Sequence, residues 1–310
     1  MRLVLEYMPD EALMKRLQAK RGRGRDDYPV KVMWNCILAG MVFQHPSIES
    51  LRRELRRNAQ LRWLCGLEGS VPPSCAFSRF LRRLLGETQR IHEIFDVLVE
   101  RLMAKLADFG KNLAMDGKAI RSHGRPVKQG GNKPRDGRRE TDADWGGKTY
   151  MGMRPDGTAW QKMQRWFGFK LHLMVDADYE LPVAFSVSRA SEAEAPRAHM
   201  LLHKMKRQQS SVLERCELLM ADRGYDDGKL MVKLWDEHKI KPVIDIRNAW
   251  RDGEATRLLE GRDNVVYDYR GNVYCHCPVT GKRLNMAYAG FEKRRETLKY
   301  RCPARHYGIQ

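Results

Sequence analysis

Asp116 and Asp222 each close a short apolar run. In NLAMD (112–116) the run ends on the first acid, and in ELLMADRGYDDG (217–228) Leu218, Leu219, Met220 and Ala221 lead into the second. Apolar stretches of this length read as buried strands bounded by turns. An Asp just past a strand is a common turn residue for backbone reasons. It is also a place from which a carboxylate can hold a metal at the rim of a sheet. If the two strands lie adjacent and parallel, both carboxylates emerge at the same edge and can share a divalent cation. Hard cations require oxygen ligands, so Asp suits and His or Cys does not. A pair of Mg²⁺ ions roughly 4 Å apart can activate a nucleophile and steady the leaving oxygen of a phosphodiester. A haloacid-type phosphatase also starts from an aspartate after a strand, but it needs a second acid two residues on. Lys118 holds that place and excludes it.

A second set of chemically capable residues lies near the other end of the chain. Cys275, Cys277, Cys302 and His306 are a candidate zinc set, because clustered thiolates and an imidazole are its usual ligands. Cys-x-Cys with a distant Cys-x3-His is not a standard finger spacing, and the alternative is free thiols in a β-rich insertion. His276 has no assigned role. Seven cysteines without a regular framework point to a reducing compartment, hence a cytoplasmic location.

These candidates sit in a strongly basic chain. Its 310 residues carry 57 Lys+Arg against 39 Asp+Glu, a net charge of +18, which calls for a polyanionic partner. The basic excess lies on both sides of residues 171–250, where acids and bases nearly balance. That layout suits an enzyme that holds divalent metals against phosphates. No apolar stretch approaches the roughly 18 residues of a membrane span, VMWNCILAGMVF being the longest. The N-terminus has no apolar core fit for a signal peptide.

The elements that must position the acids follow from periodicity. Residues 1 to about 108 read as helices. Ile48, Leu51 and Leu55 step by three and four after Ser47, with Arg52, Arg53, Arg56 and Arg57 on the other side. Phe77, Phe80, Leu81, Leu84 and Leu85 repeat the pattern after Ser74, with Arg79, Arg82 and Arg83 outward. The apolar stripes are core. The arginine faces are either solvated surface or contacts to a DNA backbone. From residue 111 strands take over: 112–116, an alternating hairpin of 167–176 with 181–188, 217–222, and 241–246. Helices are expected over 193–207 and from the fourth strand to about 238. Between the first two strands runs a basic insert. Lys118, Arg121, Arg125, Lys128, Lys133, Arg135, Arg138 and Arg139 face the single acid Asp136 there, a composition that resists packing until a polyanion arrives. Trp145, Tyr150, Trp160 and Trp166 follow, suited to stacking on unstacked bases or to capping the sheet.

The motifs NLAMDGKAIRS, GFKLHLMVDADYELPVAFSVSRASEAEAP and LLMADRGYDD, in this order and spacing, resemble the DDE transposases of bacterial insertion sequences. HPSIESLRRELRRN and PSCAFSRFLRRL look like the N-terminal domain of the same enzymes. The resemblance implies an α/β ribonuclease H-like mixed sheet with flanking helices, preceded by an all-α domain. It implies two aspartates and a glutamate binding two Mg²⁺ or Mn²⁺ ions, with Asp116 and Asp222 matching the aspartates. The expected activity is metal-dependent cleavage and strand transfer at the ends of a mobile element. The expected partner is double-stranded DNA, as element ends and target, bound by a homodimer. Such a protein would work at the bacterial nucleoid, with no membrane partner. The DNA contacts would fall on Arg52, Arg53, Arg56, Arg57, Arg82, Arg83, Lys118, Arg121 and Arg125.

The departure is the third acid. Related enzymes carry it within Tyr-x2-Arg-x3-Glu-x6-Lys on a helix. Here Tyr267 and Arg270 are followed by Tyr274 at the glutamate position, and Glu254, Glu260, Glu292 and Glu296 lie outside any such motif. The domain expectation is therefore 1–110 helical and DNA-binding, 111–250 catalytic with its basic insert at 118–165, and 251–310 a Cys-containing insertion truncated before the last catalytic helix. The rival readings are a non-catalytic DNA-binding remnant and a structure-selective nuclease of the same fold.

Overall fold

The computed structural model describes residues 1–21, 27–124, 126 and 140–303. The chain divides into two compact units, Met1–Asp108 and Phe109–Gln310.

The first unit has seven helices among its described residues: α1 (Arg2–Tyr7), α2 (Glu11–Arg21), α3 (Val30–Val42), α4 (Ile48–Arg57), α5 (Ala59–Cys65), α6 (Ser74–Leu85) and α7 (Thr88–Lys105). The apolar α3 runs through the core and buries Met33, Trp34, Cys36, Ile37, Leu38 and Ala39. Leu51 and Leu55 of α4, and Phe77, Phe80 and Leu84 of α6, meet it with their one-sided stripes. Each large side chain so buried contributes about 1.5–3 kcal/mol, which is what commits these amphipathic segments to helix. Ser47 caps α4, its Oγ accepting from the Ser50 amide at 3.2 Å. Ser74, the other helix-start serine, lies one position inside α6, with Pro73 flanking it. The buried Asp10 carboxylate accepts from Lys31 Nζ at 2.6 Å and from Trp34 Nε1 at 2.6 Å, which fixes the start of α2 against α3.

The second unit opens with β1 (Asn112–Arg121), β2 (Asp144–Met153), β3 (Ala159–Asp176) and β4 (Pro182–Arg189). Then come α8 (Glu194–Gln208), α9 (Ser210–Arg215), β5 (Leu218–Ala221), α10 (Gly228–Val232) and β6 (Lys241–Ile244). These strands make one mixed sheet in the order β2-β3-β1-β5-β6, with β4 also on β3. β3 is antiparallel to both β1 and β4, whereas β5 runs parallel to β1 and to β6. This is the ribonuclease H-like sheet with flanking helices, preceded by helices, that the resemblance implies. Leu113 and Met115 of β1 and Leu219 of β5 are buried, while α8 packs Ala198, Leu201, Leu202 and Met205 inward. Parallel strands covered in this way read as continuous apolar runs, which is why both acids stand out where those runs stop.

Two expectations change, on the insert and on the helix after β5, while the segment after 251 takes the β-rich form offered as an alternative. The insert at 118–165 is not one loop: β1 continues to Arg121, and β2 pairs with the first half of β3 from Asp144↔Gly168 to Met153↔Ala159. Its turn reads RPDGT, with Gly157 at φ +80 where a side chain is disfavoured, and the Arg154 amide donates to the Thr158 carbonyl at 2.9 Å. Aromatic and β-branched residues along both strands favour the ladder over coil. The helix expected to reach about 238 is broken into α10 and a wide π turn over Lys233–Glu237. Residues beyond 251 form short strands: β7 (Arg257–Leu258), β8 (Val265–Tyr267), β9 (Val273–His276) and β10 (Arg283–Asn285) in one sheet, with β11 (Ala287–Glu292) and β12 (Thr297–Arg301) in another.

Candidate active site

Register brings the two aspartates together, Asp222 just past the end of β5 and Asp116 within β1, which the sequence expectation had ended there but which continues to Arg121. In the parallel pairing of β1 with β5 the last matched residues are Met115 and Ala221, so Asp116 and Asp222 are the next residue on each strand. Both side chains are exposed. Asp116 Oδ1 accepts from the Gly117 amide at 2.7 Å, and Asp222 Oδ1 accepts from the Gly224 amide at 2.8 Å. Asp222 thus caps the 3₁₀ turn Arg223–Tyr225, so its turn role is real. One oxygen on each carboxylate makes that local bond. The other accepts no hydrogen bond among the described residues and stays available to a ligand.

The contrast with Asp176 is instructive. This acid ends β3, but it is fully buried and accepts from the amides of Gly110 (2.6 Å), Asp178 (3.0 Å) and Tyr179 (2.8 Å). Asp176 is a turn-builder with its lone pairs spent, and the other two are not.

Around the pair, the loop after β5 is braced from several sides. Arg247 donates through Nη2 to the Arg223 carbonyl at 3.1 Å, and its own amide donates to Asp226 Oδ2 at 2.7 Å. His199 of α8 stands 3.2 Å from Asp227, which caps α10. The N-terminus of α8 reaches the aspartates. A β-carbon added at Gly117 would lie 3.3 Å from Glu194 Oε1. At Gly224 a β-carbon would strike Glu194 Oε2 and stand 2.9 Å from Asp222 Oδ1. Glu194 is therefore lodged against the residues that follow both acids, its Oε1 3.2 Å from the Lys170 ammonium. Tyr225 of the turn after Asp222 is wholly buried, and its Oη has no hydrogen-bond partner among the described residues. Burial, then the charges of Glu194, Asp116 and Asp222, push its phenol above the ordinary range.

The donor set fits a hard divalent cation, since every candidate ligand atom is a carboxylate oxygen. Among the described residues no three His, Cys, Asp or Glu side chains stand close enough to form a ready cage. The carboxylates are neighbours that a cation would have to draw in.

The remaining sequence candidates fall as follows. Arg53, Arg56, Arg57, Arg82 and Arg83 are exposed on α4 and α6, although Arg57 Nε donates to Glu54 at 2.6 Å. Arg52 is different: its side chain is 12% exposed, Nε donates to the Pro72 carbonyl at 2.9 Å and Nη1 to Glu49 at 2.8 Å. Its guanidinium is spent on the fold. Lys118 and Arg121 lie exposed on β1 beyond Asp116, and Arg125 falls outside the described residues. Trp145 and Tyr150 are exposed, while Trp166 is buried and donates from Nε1 to the Phe169 carbonyl at 3.0 Å, a sheet residue.

Cys275 Sγ and Cys302 Sγ are 3.3 Å apart, and burial pushes the Cys275 thiol up to about 11. Cys277 is buried nearby in sequence, but no group of three metal ligands forms among the described residues, and His306 lies outside them. All seven cysteines are free thiols. Tyr267, Arg270 and Tyr274 sit on β8, the turn after it and β9 rather than on a helix, so that partial motif match has no catalytic geometry.

Sequence reading did not single out Glu194. Its signal was SEAEAP at the start of a helix after the hairpin, but Glu192 stands two residues away and the sequence offers no way to choose between them. Glu192 pairs with Arg197 instead.

No helix among the described residues is long and apolar enough to cross a membrane. No curated protein sequence matches the chain. Among solved structures it is similar to the piggyBac transposase in a synaptic complex with hairpin DNA. That likeness has 11% identity and a TM-score of 0.42, covering 99% of this chain and 65% of the other's length. The family described as Transposase domain (DUF772) matches residues 1–83. The Transposase DDE domain family matches residues 109–301, most of the chain and both acid-bearing strands, and the protein belongs to this family of DDE transposases.

Proposed function

We propose that the chain binds the ends of a mobile DNA element and carries out metal-dependent strand cleavage and transfer, with Asp116 and Asp222 as metal ligands. The observation that carries this reading is the parallel register that makes the two acids neighbours at one sheet end. Mg²⁺ or Mn²⁺ held there supplies polarisation of the scissile phosphodiester and a lowered pKa for the attacking group. The amides of Gly117 and Gly224 orient each carboxylate by engaging one oxygen and presenting the other. Arg247 keeps the Asp222 loop from shifting as charge accumulates. Lys118 and Arg121, two and five residues past Asp116, offer cations to the phosphates that flank the cleaved bond. DNA held along the exposed arginines of α4 and α6 gives the binding energy, and pairing of two element ends by two copies gives the synapsed state.

The test is cleavage of a labelled element-end duplex by the full chain in Mg²⁺ or Mn²⁺. Asp116→Asn and Asp222→Asn each lower the rate by at least roughly a thousandfold while the duplex is still bound. Cleavage that survives either change sinks the assignment. A second reading, a DNA-binding remnant without catalysis, is favoured by one feature: among residues 251–301 no helix carries the Tyr-x2-Arg-x3-Glu acid. Strand transfer of a labelled end into target DNA excludes that reading. It excludes equally a structure-selective nuclease, which cuts without joining.

A further inference from the structure

We propose that the β2–β3 ribbon is a DNA-binding element whose face bearing Lys148, Tyr150, Trp160, Lys162 and Gln164 lies in the major groove of a duplex; this rests on the reading above, which makes DNA the partner. Register sorts the ribbon into two unlike faces. β2 pairs with β3 without a shift from Asp144↔Gly168 to Met153↔Ala159, and residues directly opposite share a face. One face therefore carries Lys148 with Gln164, Tyr150 with Lys162, and Trp160 with Gly152. A β-carbon at Gly152 would stand 2.7 Å from the Trp160 indole nitrogen, so glycine there lets the ring lie across the ribbon. The other face carries Met151, Met153 and Met163 with Arg165. Along the chain these residues are interleaved, and the ladder separates them.

Three observations carry the assignment. First, apart from the half-covered Gly152, every residue from Gly147 to Arg165 is exposed. A two-stranded ribbon that gives neither face to a core is marginal by itself, and exposed aromatic and methionine side chains in that setting mark an interaction surface. Second, the charge on the first face is uncompensated. Lys148 and Lys162 are diagonal neighbours across the ladder, and neither is paired with a carboxylate among the described residues. The ribbon's own acids are engaged at its two ends. Asp144 accepts from the Ser191 amide at 2.9 Å, and Asp156 accepts from the Thr158 amide at 2.9 Å. Such a face suits phosphates and repels the same face of a second copy.

Third, the shape fits. The ten residues of β2 span about 30 Å, and the two strands lie about 4.8 Å apart. The major groove of a duplex is about 12 Å wide and admits a ribbon of this kind. There Lys148 and Lys162 neutralise phosphates at the groove wall, and Gln164 brings the amide that pairs with adenine N6 and N7. Tyr150 and Trp160 add flat apolar surface against thymine methyl groups. The methionine face then points away from the duplex.

The experiment measures binding of a labelled element-end duplex by the full chain without divalent metal, so that cleavage does not enter. Wild type is compared with Lys148→Ala/Lys162→Ala, with Met151→Gln/Met153→Gln/Met163→Gln, and with Lys15→Ala/Lys206→Ala, which removes the same charge from exposed positions elsewhere. Each variant is checked by thermal unfolding. The ribbon lysine pair should weaken binding at least about tenfold at physiological salt and make the slope of log K against log salt shallower by roughly 2. The methionine triple and the distant lysine pair should bind as wild type does. If the ribbon lysine variant does not fold, replacing residues 149–163 by Asn-Gly, a two-residue turn between the opposed Lys148 and Gln164, should weaken binding likewise. A photoreactive phenylalanine analogue at Tyr150 should cross-link to the duplex, and the same group at Met151, on the opposite face, should not. Equal loss in the two lysine pairs overturns the ribbon, since net charge alone would then explain it. Cross-links from these positions to a second copy and none to DNA also overturn it, because the ribbon would then be a protein interface. Wild-type binding that the ribbon lysine pair leaves unchanged removes the ribbon alone. A wild-type chain that does not bind the duplex removes the reading above, and this inference with it.

Discussion

Arg52 and its neighbours show how alike residues on one helix can carry different work. Arg52, Arg53, Arg56 and Arg57 all lie on α4, yet Arg52 turns inward to Glu49 and the Pro72 carbonyl. Hydrogen bonds from Ser74, then from Arg52, hold the Glu49 carboxyl below its usual range. Arg52→Ala leaves the Pro72 carbonyl without this donor and should cost about 1–2 kcal/mol of stability. Urea melts should show this loss, while the salt dependence of DNA binding stays as in wild type. The double change Arg53→Ala with Arg56→Ala should do the reverse. Its melt is unaltered, and the slope of log K against log salt becomes shallower by roughly 2, one for each phosphate no longer neutralised. A double variant with an unchanged slope would mean that this face is only solvated surface.

At the scale of elements, the central strand β3 carries a built-in acid sensitivity. His172 is fully buried between β1 and β4, opposite Gly117 and Ser186 in the ladders, with Nε2 2.8 Å from Ser188 Oγ. Burial, then the nearby Lys170 and Arg197, lower its pKa to about 4, and Glu192 opposes them weakly. The folded chain therefore prefers the neutral ring. Its contribution is fully present above the unfolded value near 6.5 and is lost as pH falls toward 4. The linked loss is on the order of 3 kcal/mol. Stability measured between pH 7 and pH 4 should fall more steeply in wild type than in His172→Gln, whose amide can still meet Ser188 but does not titrate. Parallel pH profiles for the two would show that His172 does not govern this window.

For the whole molecule, charge is the property that matters. A net charge of +18 favours association with a polyanion, and the run from Arg125 to Arg139, nearly all of it outside the described residues, sets six basic residues against one acid. For about six phosphate contacts the slope of log K against log salt is roughly −5. Deleting residues 125–139 should flatten that slope without lowering the melting temperature, because a sequence so rich in Gly, Lys and Arg has little apolar surface to offer a core. Binding of an element-end duplex between low and physiological salt checks this, and an unchanged slope would make the run a spacer.

Periodicity alone was enough for the helical first unit, the β3–β4 hairpin, α8 and the apolar runs that lead into Asp116 and Asp222, although β1 carries on past Asp116 to Arg121. Those features are local: amphipathic spacing and strand alternation record which face must leave water. The β2–β3 ladder was also written locally, in the RPDGT turn, but the surrounding basic composition concealed it. What the linear chain could not contain was adjacency. Whether the two acids are neighbours depends on which strands pair and in what register, and β1 and β5 pair although far apart along the chain. In the same way only the packed sheet separates Asp176, spent on three amides, from Asp116 and Asp222, and only the docking of α8 brings Glu194 rather than Glu192 to their side. Burial and hydrogen bonding are properties of the assembled fold, so residue type and spacing could nominate the acids but tertiary structure alone could sort them.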